Sequence, residues 1–355
     1  MTRKAFWAAL AATAALATGT PAGAQTTPRT YSNLFVFGDS LVDSGNAQIG
    51  RALAGGEDPA PSSAGYVQGR FSNGYNFADW LSRGMYGAPT TASGRGGLNF
   101  SVGGAQASEV TGDASPSFLE QIASFRTSGK VLSGDSLVLV TLGGNDVRRE
   151  LGRFGTIPGY QTEIKSTTDA LTNGFAELVA LGARNFVITG VPDIGQIPAV
   201  TGLGSAALIR KGQALSVELN YGDQQDADRD LATDDLQDLV ADLNTGGVSA
   251  QFFDLFAFQQ QLYADPVAYD LSSPLNTRTP CIGTSAAPTC NGFVYFDPVH
   301  PTSQVHRAIS IGIARQIGVA AVPEPASWLL MIGGAGAIGA SLRRRRTAVA
   351  NPLAA

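Results

Sequence analysis

The chain has few of the residues that most often carry chemistry in proteins. Its 355 residues include two histidines, two cysteines and three tryptophans, and only 15% of them are Asp, Glu, Lys or Arg. The net charge of -5 provides no basic surface to hold a phosphate backbone, which argues against a nucleic-acid partner. Hydrophobic residues make up 44% of the chain, as expected for a globular domain with a full core.

The scarcity of cysteine bears on metals and disulfides. Cys281 and Cys290 lie close together in the sequence, and in an oxidising compartment such a pair most simply closes a small loop as a disulfide. Two thiols without a nearby histidine do not make a four-ligand zinc site. The acidic run at 223–230 does not fit a calcium loop, because Leu231 replaces the required glycine and Gln237 the bidentate glutamate. We predict a disulfide and no metal or cofactor.

Two short hydrophobic runs lie at the ends of the chain. Near the start, Arg3 and Lys4 precede an apolar stretch at 5–18 and the small-residue site Ala22-Gly-Ala24. This order is typical of a secretory signal peptide, and the stretch is shorter than the roughly 20 residues of a membrane-spanning helix. We therefore expect signal peptidase to remove residues 1–24; a retained anchor helix is the alternative.

The other end carries a three-part tail at 322–355. Val322-Pro-Glu-Pro325 precedes an apolar run at 328–342 and four arginines at 343–346. The prolines keep the link extended, and the arginines would stay in the cytoplasm. The tail resembles the PEP-CTERM sorting signal of Gram-negative bacteria, which implies transient anchoring in the inner membrane and cleavage by an exosortase. A permanent anchor is the alternative. Either way, the body would lie outside the cytoplasm, in the periplasm, at the cell surface or in the extracellular matrix.

The body at 25–321 alternates short β-branched runs with longer helical patterns, which indicates one α/β domain with a mostly parallel sheet. Strands are predicted at 34–38, 98–102, 137–142, 185–190 and 250–253. Helices are predicted at 77–82, 118–126, 162–181, 206–243 in one or two pieces, and 302–317. We expect a three-layer α/β/α sandwich around a five-stranded sheet.

The sequence Gly-Asp-Ser-Leu occurs twice, and its surroundings distinguish the copies. Ser40 follows the apolar run 34–37, at the carboxyl end of a predicted strand, whereas Ser136 precedes the run 137–140. In an open parallel sheet, ligands bind at the carboxyl ends of the strands. We therefore predict Ser40 as a nucleophile and Ser136 as a turn residue. We interpret Asp39 as a hydrogen-bond acceptor that fixes the loop around Ser40.

A serine hydroxyl needs a base, and the chain offers two histidines. His300 lies in a proline-stiffened loop three residues after Asp297, whose carboxylate can orient the imidazole through Nδ1. His306 falls within a helical pattern, where a packed or surface role is expected. Hydrolysis further needs donors for an oxyanion, and two segments could supply them: the strand end Asn99-Phe-Ser-Val-Gly-Gly104 and the strand end Val140 to Asp146.

These segments, in this order, resemble the sequence blocks of the GDSL esterase/lipase family, also called SGNH hydrolases, over nearly the whole body. The resemblance implies a flavodoxin-like SGNH fold, with Ser40 as nucleophile, His300 as base and Asp297 as its partner. It also implies an oxyanion hole formed by the N–H groups of Ser40 and Gly103 and the side chain of Asn145. Gly104 is a possible substitute for Gly103. The nucleophile elbow Gly-x-Ser-x-Gly of the α/β-hydrolases is absent from the sequence.

We therefore expect a secreted serine esterase or lipase that hydrolyses carboxylic esters through an acyl-enzyme intermediate, without cofactor or metal. Its substrate would be a lipid or an acylated carbohydrate. The alternatives are an exopolysaccharide O-acetyl esterase, favoured by the tail's link to polymer export, and a matrix-associated binding protein with a non-catalytic body.

Overall fold

A computed structural model describes residues 29–110, 112–159, 164–222 and 235–320. Within these residues, four strands form one parallel sheet in the order β1-β2-β3-β4. The strands are β1 (Leu34–Gly38), β2 (Leu137–Thr141), β3 (Asn185–Thr189) and β4 (Ser249–Phe253). Every residue of β1, β2 and β3 is buried, because helices cover both faces of the sheet. The predicted α/β class is confirmed.

The predicted fifth strand at 98–102 is not a regular strand of the sheet, and this part of the prediction is wrong. The segment does run parallel to β1, because Val36 N–H donates to Leu98 O and Phe100 N–H to Val36 O. Val102 N–H continues this pairing by donating to Gly38 O at 3.0 Å, but the Gly38 N–H donates to the side-chain oxygen of Gln121 at 2.9 Å and not to the segment. The ladder between the segment and β1 is therefore incomplete, because a side chain takes one of its backbone donors.

The described residues contain ten α-helices. They are α1 (Asn46–Leu53), α2 (Phe77–Tyr86), α3 (Phe118–Thr127), α4 (Gly144–Thr156), α5 (Lys165–Ala180), α6 (Pro198–Thr201), α7 (Ala206–Tyr221), α8 (Leu236–Thr245), α9 (Leu255–Ala264) and α10 (Ser303–Ile317). Capping boxes at Asn76 and Ser117 fix the starts of α2 and α3. The long pattern predicted from residue 206 gives two helices, α7 and α8, and the acidic run between them lies outside the described residues.

The layers follow from helix packing. Helix α10 packs against α2, α3 against α5, and α7 against both α4 and α8. The predicted leader at 1–24 and the tail at 322–355 lie outside the described residues. Among the helices that are described, none combines the length and apolar character needed to cross a membrane.

The chain leaves β1 towards the segment at 98–102 on one side and returns to β2 on the other. The strand order thus reverses between β1 and β2, and in open α/β sheets ligands bind at the carboxyl ends of the strands beside such a reversal. Ser40 follows β1 at this edge, and Asn145 follows β2.

The predicted disulfide is confirmed: Cys281 and Cys290 are bonded, with 1.99 Å between the sulfurs. Both cysteines are buried in a small apolar cluster with Phe296. The N–H of Cys281 donates to Tyr295 O at 2.9 Å. The disulfide therefore braces the stretch of chain that leads directly into Asp297.

Candidate active site

The loop after β1 is shaped by close backbone contacts. A Cβ atom on Gly38 would lie 2.6 Å from Thr141 O, so only glycine fits where β1 ends against β2. Gln121 bonds both backbone groups of Gly38 at 2.9 Å. Asp39 Oδ1 accepts the N–H of Leu41 at 2.9 Å, as the interpretation of Asp39 required. These contacts fix the backbone on both sides of Ser40.

The structure brings Ser40, His300 and Asp297 together, although 260 positions separate the serine from the histidine. Ser40 Oγ lies 2.7 Å from His300 Nε2, and His300 Nδ1 lies 2.7 Å from Asp297 Oδ2. Both distances are those of hydrogen bonds. A hydroxyl, an imidazole and a carboxylate are thus connected in the order that general-base catalysis requires.

Asp297 is held by more groups than the sequence suggested. Its Oδ1 accepts the N–H groups of Val299 and His300, both at 2.8 Å, and its Oδ2 accepts the hydroxyl of Tyr66 at 2.8 Å. Burial raises the pKa of the Asp297 carboxyl, but the nearby His300 and the donated hydrogen bonds outweigh burial. The pKa therefore lies below its ordinary value, and the carboxylate stays charged opposite the imidazole.

The two rival residues lie elsewhere. Ser136 is buried at the amino end of β2, where its hydroxyl bonds that of Ser133 at 2.8 Å, as predicted for a turn residue. His306 is buried in α10, with its ring 5.8 Å from that of Phe77. Burial, with a smaller effect of His300, lowers the pKa of His306 to about 3. His306 is therefore a neutral, packed side chain.

In the segments predicted to supply oxyanion donors, three groups have a hydrogen to spare. The N–H groups of Ser40 and Gly104 have no acceptor within the described residues. Asn145 Nδ2 donates to Ala105 O at 2.9 Å, which leaves its second hydrogen available. Gly103, by contrast, donates its N–H to Asp43 Oδ2 at 2.8 Å. This bond argues against Gly103 as an oxyanion donor, because its one N–H is already used, and it favours the substitute Gly104.

Helix α4 begins at this point of the site. Gly143, with φ 106°, forms its N-cap, and Asn145 lies in its first turn. The positive end of the helix dipole is thus directed at the region where an anion would form. Arg148, one turn further along, donates from Nη1 to Asn145 Oδ1 at 3.2 Å. The amide of Asn145 is therefore held at both of its ends.

An open groove extends from Arg148 between α4, α6 and α7. It has a volume of about 390 Å³. Its walls are mainly apolar or lack side chains, and they include Leu151, Gly152, Leu203 and Leu208. Helix α6 connects this groove with the His300 loop, since Ala199 N–H donates to Pro298 O at 2.8 Å. The groove can hold a hydrocarbon chain.

Two contributors to the site were not predicted from the sequence. Tyr66 lies in a Gly- and Ser-rich loop, and Arg148 on a helix with many charged residues, so neither stands out by composition. The spacing of Asn145 and Arg148, three residues apart on a helix, is the one local signal for a contact between them. In the parts of the chain that are described, no group of three or more His, Cys, Asp and Glu residues could hold a metal ion.

Comparison with known proteins gives consistent results. The family model of GDSL-like lipases/acylhydrolases matches residues 34–313, and that of the PEP-CTERM protein-sorting motif matches residues 321–346. A GDSL esterase/lipase of Arabidopsis thaliana is 28% identical over 78% of this chain and 87% of its own length. The secreted effector protein SseJ of Salmonella typhimurium is 23% identical over 79% of this chain and 62% of its own.

Solved structures were also compared. An acetylxylan esterase from Geobacillus stearothermophilus aligns with a TM-score of 0.42 and 13% identity, covering 84% of this chain and 100% of its own.

Proposed function

Since the chain belongs to the GDSL-like lipase/acylhydrolase family, we propose that it is a serine esterase that hydrolyses carboxylic esters through an acyl-enzyme. The observation that carries this proposal is the 2.7 Å contact between Ser40 Oγ and His300 Nε2, with Asp297 behind the imidazole. The PEP-CTERM motif indicates export in a Gram-negative bacterium, with sorting by an exosortase. We assign the hydrolase domain to residues 25–321.

In the first half-reaction, Ser40 Oγ attacks the ester carbonyl carbon while its proton passes to His300 Nε2. Asp297 stabilises the imidazolium that forms. The tetrahedral intermediate then collapses: the bond from the carbonyl carbon to the alcohol oxygen breaks, and His300 gives the proton to that oxygen. In the second half-reaction, water attacks the acyl-Ser40 ester with His300 again as base, which releases the acid and restores Ser40.

The oxyanion of each intermediate would accept hydrogen bonds from the N–H groups of Ser40 and Gly104 and from the second amide hydrogen of Asn145. Gly104 takes the place first expected for Gly103, whose N–H is bonded to Asp43. Removing one such donor typically costs about 3 kcal/mol of transition-state stabilisation. The start of α4 adds a favourable dipole at the same position.

We further propose that the preferred esters carry an apolar chain. The groove that leads away from Arg148 is walled by Leu151, Leu203 and Leu208, surfaces that suit a hydrocarbon better than a sugar. This favours a lipid-type ester over the two alternatives, acetylated exopolysaccharide and a matrix-binding protein without catalysis.

The chain itself offers a matched test, because it contains two Gly-Asp-Ser-Leu copies. We expect Ser40→Ala to lower kcat on p-nitrophenyl esters by on the order of a thousandfold or more. Ser136→Ala, which removes the same hydroxyl from the other copy, should keep kcat close to that of the parent protein. A fluorophosphonate probe should label Ser40, as read by mass spectrometry. Unchanged hydrolysis by Ser40→Ala would overturn the proposed mechanism.

The same assay series determines the substrate class. Esters graded from acetyl to palmitoyl, together with acetylated polysaccharide, are compared by kcat/KM. A value that rises from acetyl to octanoyl supports the apolar groove. Fastest hydrolysis of acetylated polysaccharide would instead assign the protein as an O-acetyl esterase. No hydrolysis and no labelling at Ser40 would favour the binding protein.

A further inference from the structure

One carboxylate oxygen in the proposed site accepts two donors. Asp297 Oδ2 lies 2.7 Å from His300 Nδ1 and 2.8 Å from the hydroxyl of Tyr66. The other oxygen, Oδ1, is occupied by the backbone N–H groups of Val299 and His300. The carboxylate is therefore fixed from two sides, and Tyr66 competes with His300 for the negative charge of a single oxygen.

Packing holds the Tyr66 ring in place. It meets the Phe296 ring edge-on, with centroids 5.0 Å apart and planes at 87°, and it also contacts Phe71. Phe71 in turn lies against the imidazole of His300, with the ring centroids 5.1 Å apart. Tyr66 thus reaches Asp297 from a loop that is 231 positions away in the sequence.

We propose that Tyr66 is a positioning residue that shares the negative charge of Asp297 Oδ2 with His300 and so weakens the pull of Asp297 on the proton at His300 Nδ1. This inference rests on the proposed function, because it assigns His300 the role of base. Tyr66 acts through Asp297 and is not placed against the substrate.

The physical argument concerns shared charge. A donor to a carboxylate stabilises its charged form and makes it a weaker partner for a neighbouring imidazolium. Burial, together with Asp297, raises the pKa of Tyr66, so the phenol stays protonated and remains a donor across the working pH range. Loss of the hydroxyl should leave more of the negative charge of Asp297 directed at His300, and the acid limb of the activity profile should then move to higher pH.

Other titratable groups also face this pair, and the test leaves them unchanged. Asp39 and His306 interact electrostatically with His300, and Arg148 interacts with Asp297. All three are retained in a Tyr66 variant. A change in the pH profile can therefore be assigned to the missing hydroxyl.

The test is the pH dependence of kcat/KM for Tyr66→Phe, which keeps the ring and its packing on Phe296. We expect the acid limb of the profile to move to higher pH by about half a unit, because Asp297 no longer shares its negative charge with the Tyr66 hydroxyl. We also expect kcat at the pH optimum to fall about fivefold with KM unchanged, because one hydrogen bond that orients Asp297 is lost.

Tyr86→Phe is the control, because it removes another hydrogen-bonded tyrosine hydroxyl, which donates to Tyr31 O at 3.1 Å. Its pH profile should match that of the parent protein. A fall in kcat of Tyr66→Phe without a moved acid limb would refute the inference and leave Tyr66 as a structural residue. Such a result would not affect the proposed function, which depends on Ser40→Ala being inactive.

Discussion

At the scale of single residues, Asp39 is an unusual neighbour for Ser40, the proposed nucleophile. Only 3% of its surface is exposed, and the one hydrogen bond assigned to its carboxylate comes from the N–H of Leu41. Burial is the main cause that raises the pKa of Asp39 to about 7, from 3.8. Smaller contributions come from the Leu41 bond and from His300, which lower the pKa. Ionising Asp39 is thus harder in the folded protein than in the unfolded chain, and this difference links folding to pH.

We predict that Asp39→Asn changes how stability depends on pH. Because the pKa of Asp39 is raised on folding, its contribution is fully present below about pH 4 and is lost as the pH rises towards 7. Asparagine can still accept the Leu41 bond but does not ionise. Urea unfolding at pH 4 to 8 should show that the free energy of unfolding of the variant rises relative to that of the parent protein by on the order of 4 kcal/mol across this range.

The comparison isolates Asp39, because the other shifted carboxyl groups are common to both proteins. Burial also raises the pKa of Asp193 to about 6, while the pKa of Asp297 is lowered and acts in the opposite direction. A difference between variant and parent that stays constant from pH 4 to 8 would contradict the prediction.

Sequence alone predicts Ser40 and His300, because the chain has only two histidines and only one of its two Gly-Asp-Ser-Leu copies follows an apolar run. It does not point to Tyr66, and it does not decide between Gly103 and Gly104. The role proposed for Tyr66 rests on a contact between distant parts of the chain, and the choice between Gly103 and Gly104 rests on which N–H Asp43 accepts. Side-chain hydrogen bonds of this kind are set by tertiary packing, which local pattern does not encode.

At the scale of elements, α4 contributes both the start of the proposed oxyanion site and one wall of the groove. Gly152 faces the groove, and a Cβ atom built on it would meet nothing within 4 Å. The helix thus leaves open a space that an ordinary side chain would fill. The groove begins at Arg148 and passes Gly155 seven residues on, a distance of about 10 Å at the rise of an α-helix.

We predict that Gly152→Leu shortens the range of acyl chains accepted. The new side chain should occupy the groove, so kcat/KM for octanoyl and longer esters falls about tenfold, while the acetyl ester stays within about twofold. Gly50→Leu in α1 is the control, since it too replaces an exposed helical glycine in open space. Both variants should gain helix propensity. An unchanged chain-length profile in Gly152→Leu would show that the acyl chain binds elsewhere.

The sequence predicted strands well where they form continuous apolar runs. The strands β1, β2 and β3 read as continuous apolar runs, which is the pattern of a sheet covered on both faces. The segment at 98–102 has the same apolar character at its ends and pairs with β1, but the side chain of Gln121 takes the Gly38 N–H that a complete ladder would use. Composition cannot distinguish such a segment from a regular edge strand.

At the scale of the whole molecule, residues near the two ends of the described body are hydrogen-bonded to each other before the tail begins. Arg29 N–H donates to Gly318 O at 2.7 Å, and its guanidinium donates to Asn185 Oδ1 at 3.0 Å. The two ends of the body therefore meet beside the amino end of β3, whereas Ser40 follows the carboxyl end of β1 at the opposite edge of the sheet. The sorting motif follows directly, at residues 321–346. Recognition by the export machinery and ester hydrolysis can thus use separate parts of the chain.

We predict that a protein comprising residues 25–321 keeps full hydrolytic activity. The contacts among Ser40, His300 and Asp297 all lie within the body, and α10 ends at Ile317, before the sorting motif. Its kcat/KM and thermal midpoint should equal those of the chain that retains 322–355, both measured in the same detergent. The matched control, Pro323→Ala with Pro325→Ala, keeps the length of the tail but alters its extended link, and it should change processing in an exosortase-bearing host without changing hydrolysis. If the shortened protein folds but loses activity, the tail takes part in the site and the division into separate domains is wrong.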